Sequence, residues 1–195
     1  MSAFVLATAN PHKAKEIRGV LESLGIGTQP RPENVPDVDE TESTLEGNAL
    51  LKARAVTEAT GEPAVADDTG LFIDALDGRP GVYSARYAGV GATDLDNVQK
   101  ALRELDGVEA ERRTARFRSV IAVTYPDGQS WWVEGVLEGS ILTSPRGDGG
   151  FGYDCVFAPA ILSGETLAEL SLDEKSAVSH RGHALRAFAE RVQSS

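Results

Sequence analysis

Two adjacent carboxylates, Asp67 and Asp68, follow the apolar run Ala64-Val65-Ala66 and precede Thr69-Gly70. At the end of a strand, a side-chain period of two points the acids to opposite sides, so only one faces a given site. An acid at a strand end is a common way to hold Mg²⁺, which prefers oxygen ligands and keeps several waters. Glu40, with Asp39 beside it, is a second acidic group, in the connector before a helix. In a chain this acidic, solvated surface acid is the usual explanation for any one of these, and charge alone leaves both readings open.

Thr8-Ala9-Asn10-Pro11-His12-Lys13 lies where a strand meets a helix, with Asn10 placed as the cap and Pro11 preset for the first helical position. Free backbone N–H groups and the helix dipole at such a terminus attract phosphate, and Lys13 and Lys15 add positive charge. An ordinary capped helix explains the same residues equally well. In Gly147-Asp148-Gly149-Gly150-Phe151-Gly152-Tyr153-Asp154, four glycines surround two aromatics and carboxylates. Glycines let backbone approach a ligand closely, and aromatic faces stack on bases for about 1–3 kcal/mol each. The plainer alternative is a turn that tucks Phe151 and Tyr153 into the core. Lys175 and Ser179-His180-Arg181 flank the start of the last helix and again combine cations with a helix N-terminus.

The elements that must position these groups can be read from periodicity. Ala3 to Thr8 is expected to be a short buried strand, and Ile17, Val20, Leu21 and Leu24 lie at helical spacing over Pro11 to Leu24. A Pro-rich connector, Thr28 to Asp39, leads to a second helix over about Thr44 to Thr60, closed by Gly61. Ala64 to Ala66 forms a brief strand that delivers Asp67 and Asp68 to its end; Leu71 to Ile73 resumes an extended run, and Gly78 to Gly81 turns. A third helix is predicted over Thr93 to Leu105, with Asp94 near its positive end. Ala115 to Tyr125 and Ser130 to Leu142 form a hairpin around Pro126-Asp127-Gly128, with Trp131, Val133, Leu137 and Ile141 on one face. Ser179 to Val192 is the last helix. Helices mixed with crossover strands and a hairpin suggest an α/β fold around a mixed sheet.

The composition narrows the partners. At 195 residues the chain suits a single domain, residues 1–195. Nineteen basic against thirty acidic residues give a net charge of -11, which works against nucleic acid polymers as partners. A small anion is still compatible, because clustered cations or a bound metal reverse the field locally. No apolar stretch is long enough to cross a bilayer, so a membrane is not expected as a partner. Phe4 to Ala7 is too short for a signal-peptide core, and the lone Cys155 gives no sign of an oxidising compartment; the cytoplasm is the default.

Together the segments resemble the inosine triphosphate pyrophosphatase family, bacterial enzymes that remove inosine, deoxyinosine and xanthosine triphosphates from the nucleotide pool. The resemblance covers nearly the whole chain. Besides the stretches above, it rests on Asn48-Ala49-Leu50-Leu51-Lys52-Ala53, Ala66-Asp67-Asp68-Thr69-Gly70-Leu71, Pro80-Gly81-Val82-Tyr83-Ser84-Ala85-Arg86 and Glu174-Lys175, all in family order.

The resemblance implies an elongated mixed central β-sheet flanked by helices, in two lobes with the substrate in a cleft between them, and a homodimer. It implies that Asp68 is the catalytic carboxylate and, with Glu40, a ligand of Mg²⁺. Thr8, Ala9, Asn10, Pro11, His12, Lys13 and Thr69 match positions that contact substrate near the triphosphate. Phe151, Gly152, Tyr153, Asp154, Lys175, His180 and Arg181 match positions that hold the nucleotide, chiefly around the base. The expected reaction is hydrolysis of a purine nucleoside triphosphate to monophosphate and pyrophosphate. Lys52 and Arg86 are further candidate cations, Asp67 is expected to orient its neighbour or bind backbone, and a donor such as Arg181 would suit the carbonyl at C6 of hypoxanthine and xanthine. Three positions depart from the family pattern: Cys155 in place of Pro, Gly47 in place of an acid, and Leu45 in place of Phe. Rival readings are a pyrophosphatase for modified pyrimidines or methylated bases, as in the related Maf-like proteins, and a nucleotide-binding regulator without catalysis.

Overall fold

The computed structural model describes residues 3–194. Its first elements are β1 (Phe4–Leu6), α1 (Pro11–Ser23), β2 (Thr28–Gln29) and α2 (Leu45–Thr60). They are followed by β3 (Ala64–Ile73), β4 (Pro80–Gly81), α3 (Asp94–Glu104) and the hairpin of β5 (Thr114–Thr124) and β6 (Ser130–Ile141). The chain continues through β7 (Phe157–Pro159), α4 (Leu172–Val178) and α5 (His180–Gln193). Seven strands form one mixed sheet in the order β2-β1-β3-β5-β6-β7, with β4 paired to β3 off that path. β1 runs parallel to β2 and to β3, whereas β4 and β7 lie antiparallel to β3 and β6. No helix among the described residues is long and apolar enough to cross a membrane.

Local chemistry sets the helix ends. Pro11 opens α1 under the Asn10 cap, and Thr44 accepts the Gly47 N–H at the start of α2. Gly61 closes α2 in the left-handed region, at φ 70°. Capping boxes start α3, through Thr93 and Asp96, and α4, through Ser171 and Glu174.

The chain divides into two compact units: residues up to Asp68 with Ser119–Gly135 and from Arg181 on, and Thr69–Arg118 with Val136–His180. In the first unit β1 and β3 alternate. Phe4, Leu6 and Val65 pack with Ile17 and Leu21 of α1 and Leu185 and Phe188 of α5, whereas Val5, Ala7, Ala64 and Ala66 pack with Ala53 and Val56 of α2. The core of the second unit joins Leu71 and Ile73 of β3, Val98 and Ala101 of α3, Phe117 of β5, Ile141 of β6 and Phe157 of β7.

Three expectations change. β3 is one continuous ten-residue strand, so Asp67 and Asp68 sit in its middle and not at its end. Asp and Gly usually weaken strands, but here the acids meet buried cations and Gly70 leaves room for β4. A Cβ on Gly70 would lie 2.6 Å from the Gly81 carbonyl oxygen. β1 is shorter than Ala3 to Thr8, and Lys175 belongs to a separate short helix, α4, ahead of the last one.

Candidate active site

The first turn of α1 is fully bonded to its own cap. The Asn10 carboxamide oxygen accepts the N–H groups of His12, at 2.9 Å, and Lys13, at 3.2 Å, while the Ala14 N–H reaches the Asn10 carbonyl. Pro11 has no N–H to offer. The free donors expected for phosphate at this terminus are therefore taken by the cap, and the positive potential there comes from the dipole and Lys13. Thr8 accepts the Asn10 N–H at 3.2 Å and fixes the approach to the cap. A cavity of about 550 Å³ lies beside Thr8 and Ala9, with Arg18 and Arg31 also on its walls.

The strand alternation that sorts the apolar residues also sorts the two acids. Asp67 follows Val65 toward α1 and α5, where it pairs with Lys13 at 3.1 Å and with Arg181 at 3.1 Å. Burial opposes its charge, but Lys13, Arg181 and Lys52 outweigh that and hold the carboxyl well below its ordinary range. Burial lowers the Lys13 pKa despite Asp67. Arg181 is itself buried and directs Nε and Nη2 to Asp67 and Nη1 to Glu16. Its fork is thus built into a four-charge cluster with Asp67, Glu16 and Lys13. Sequence reading missed Glu16, although its place three residues after Lys13 sets it on the same face of α1.

Asp68 follows Ala64 and Ala66 toward α2. The Lys52 ammonium lies 2.8 Å from Asp68 Oδ1 and 2.9 Å from Glu40 Oε1, so two acids share one cation. Asp68 Oδ2 is buried without a hydrogen-bond partner among the described residues. Burial pushes the Asp68 pKa up to about 6, with Lys52 and Lys13 pulling it down and Glu40 adding to the rise. Lys52 is raised, because Asp68, Asp67 and Glu40 together overcome its burial.

Asn48, one turn before Lys52 on α2, is fully buried and clasps the connector. Its side chain accepts the Glu42 N–H at 3.0 Å and donates to the Glu42 carbonyl at 3.3 Å. Gly47 makes room for that clasp, since a Cβ there would lie 2.7 Å from Glu42 Cβ. Glu42 Cβ and Cγ thus occupy the space that a side chain at position 47 would need.

Among the described residues no group of three or more His, Cys, Asp or Glu is arranged to hold a metal. Mg²⁺ is commonly held by one or two carboxylates together with substrate phosphates, so Asp68 and Glu40 suffice in number. The buried, unbonded Asp68 oxygen is the atom such an ion would satisfy, and the residues fit the group.

The remaining predicted positions lie in the second unit, which begins at Thr69, next to Asp68 on β3. Asp154 Oδ2 accepts the Lys175 ammonium at 2.6 Å and the Phe151 N–H at 2.9 Å, while that ammonium lies 4.7 Å from the center of the Phe151 ring. The Gly152 N–H donates to Asp94 at 2.7 Å, which ties the loop to the start of α3. Tyr153 is a core residue: its ring belongs to the buried cluster and its hydroxyl donates to the Ser84 carbonyl at 3.0 Å. His180 is buried and stacks on Phe117 at 4.4 Å. Gly147 serves chain packing, since a Cβ there would meet the Ala168 backbone at 2.6 Å. Burial pushes the Cys155 thiol pKa up, which suits a packed side chain and not a nucleophile.

The chain matches known proteins along nearly its whole length. The Ham1 family model matches residues 4–191, and the chain belongs to that family. A protein from Nitratidesulfovibrio vulgaris named dITP/XTP pyrophosphatase is 52% identical, over 97% of this chain and 95% of its own. One of the same name from Bacillus subtilis is 45% identical over 99% and 98%. A HAM1 protein structure from Coxiella burnetii superposes with a TM-score of 0.90 at 42% identity, covering 100% of both chains. The Staphylococcus aureus Ham1 protein gives 0.87 at 35% identity, covering 99% of each.

Proposed function

We propose that this chain hydrolyses non-standard purine nucleoside triphosphates, ITP, dITP and XTP, to the monophosphate and pyrophosphate, and so keeps them out of DNA and RNA. The observation that carries the reading is Asp68: a buried carboxylate with one oxygen on Lys52, the other unbonded, and Glu40 beside it. The names of the relatives carry two of these substrates, dITP and XTP.

In this reading Asp68 and Glu40 would hold Mg²⁺. When bound, the ion supplies Lewis-acid polarisation of the phosphates and charge neutralisation. Asp68 orients the attacking water and takes its proton. Lys13 and Lys52 stabilise charge developing on the phosphates, with Arg86 as a further cation. Thr8 to Lys13 and Thr69 contact the triphosphate. Asp67 fixes Lys13 and Arg181.

Phe151 supplies a face for the base; Asp154 and Lys175 fix that ring, while Tyr153 and His180 anchor the surrounding backbone. Lys175 and Arg181 are cationic donors that match a 6-carbonyl and not the 6-amino group of adenine. A buried donor left unmatched costs about 1–3 kcal/mol, so adenine is disfavoured roughly tenfold to a hundredfold. The enzyme works in the cytoplasm as a homodimer.

The test is pyrophosphate release from ITP, dITP, XTP, ATP and GTP, with Mg²⁺ and with EDTA, for the parent and Asp68→Asn. We expect Mg²⁺-dependent release, faster from the first three and lost in the variant. Equal rates on all five nucleotides would remove the specificity, and an active Asp68→Asn would remove the assigned chemistry.

A further inference from the structure

We propose that Lys52 is the resident counter-ion of the metal site: in the nucleotide-free protein its ammonium stands between Asp68 and Glu40, and a divalent cation must displace it to reach both carboxylates. This rests on the reading of Asp68 and Glu40 as the metal ligands. The geometry is specific. One Nζ lies within 2.9 Å of an oxygen on each acid, and the Lys52 side chain is 15% exposed, so water screens the contact little. Two carboxylates brought together without a cation repel each other, and the ammonium removes that repulsion.

The acids are held in place independently of it. Asp68 is fixed within β3, and Asn48 clasps the connector two residues beyond Glu40. Lys52 is therefore not needed to bring the carboxylates together; it neutralises them. Its consequence is weak divalent binding by the free protein. The cation enters most readily with a triphosphate, whose negative charge gives Lys52 phosphate oxygens in exchange for the carboxylates it leaves.

The two possible roles of Lys52 predict opposite signs. If it competes with the cation, Lys52→Met removes one positive charge and a competitor, and the protein without nucleotide binds divalent ions more tightly. If it braces the acids, the same change lets them separate and weakens binding. Mn²⁺ binding, read by electron paramagnetic resonance of the free ion and by calorimetry, distinguishes the two without turnover. We expect tightening by about tenfold or more, because a unit charge at ion-pair distance is lost. Lys52→Gln should tighten binding in the same direction if the methionine variant does not fold, and Lys52→Arg should stay weak.

Asp68→Asn separates the underlying reading from the inference. Unchanged or weaker Mn²⁺ binding in Lys52→Met and Lys52→Gln, with binding lost in Asp68→Asn, overturns the counter-ion role and leaves the metal site standing. Equal binding by parent, Lys52 variants and Asp68→Asn overturns both.

Discussion

Each unit of the molecule holds an aspartate–lysine pair almost out of reach of water, and the two pairs are wired differently. Asp154 and Lys175 meet at 2.6 Å, and the same carboxylate oxygen also takes the Phe151 N–H. Here the ammonium and a backbone donor meet on one carboxylate oxygen, and the result is a closed loop beneath an aromatic ring. Asp68 and Lys52 meet at 2.8 Å, but that ammonium is divided with Glu40 and the second Asp68 oxygen has no hydrogen bond. The same two residue types thus fasten a loop in one place and, in the other, join two carboxylates through one cation. A buried carboxylate oxygen with no hydrogen bond among the described residues, as at Asp68 Oδ2, is a place where a ligand can bind.

The largest expected effect separates the pairs by activity. Asp68→Asn should lower pyrophosphate release from ITP by about 10³-fold, the scale of a lost proton acceptor. Its stability should hold, because the replacement removes a buried charge. Asp154→Asn should lose about 3 kcal/mol in urea unfolding, because it leaves the Lys175 ammonium buried and poorly matched. Should Asp154→Asn prove fully stable but inactive, the contrast between the pairs would fail.

A smaller effect concerns pH. The Asp68 pKa is raised from 3.8 to about 6 in the fold, so the native protein binds the extra proton. That contribution to stability is present below the unfolded value and is lost as pH rises through about 6. In metal-free urea titrations, Asp68→Asn should therefore gain on the parent by about 1–2 kcal/mol between pH 4.5 and 7.5. A pH-independent difference would mean that Asp68 titrates normally. The smallest change is Tyr153→Phe, which should lose about 1 kcal/mol with the bond to the Ser84 carbonyl. Its KM for ITP should stay within about twofold, in contrast to a residue that stacks on the base for about 1–3 kcal/mol.

Much of this was legible from residue types because local rules agreed with the fold. The caps at Asn10 and Gly61, the hairpin around Asp127-Gly128, and the opposite directions of Asp67 and Asp68 all follow from short-range geometry. What was not legible depended on distant partners. Asp67-Asp68-Thr69-Gly70 looks like a strand end until Lys13, Arg181 and Lys52 are brought to it from other elements. The glycines around Phe151 look like room for a ligand, yet at Gly147 the occupant is the backbone of Ala168. β7 and α4, of three and seven residues, are too short to show a period.

The alternation of β3 has an evolutionary consequence. Removing or adding one residue within Ala64–Ala66 would exchange the destinations of the two acids, sending Asp68 to the cluster around Arg181 and Asp67 to Lys52 and Glu40. Point substitutions can be explored at these positions one at a time, whereas any change in length scrambles both ionic circuits together. The spacing of this short stretch should accordingly stay frozen across descendants.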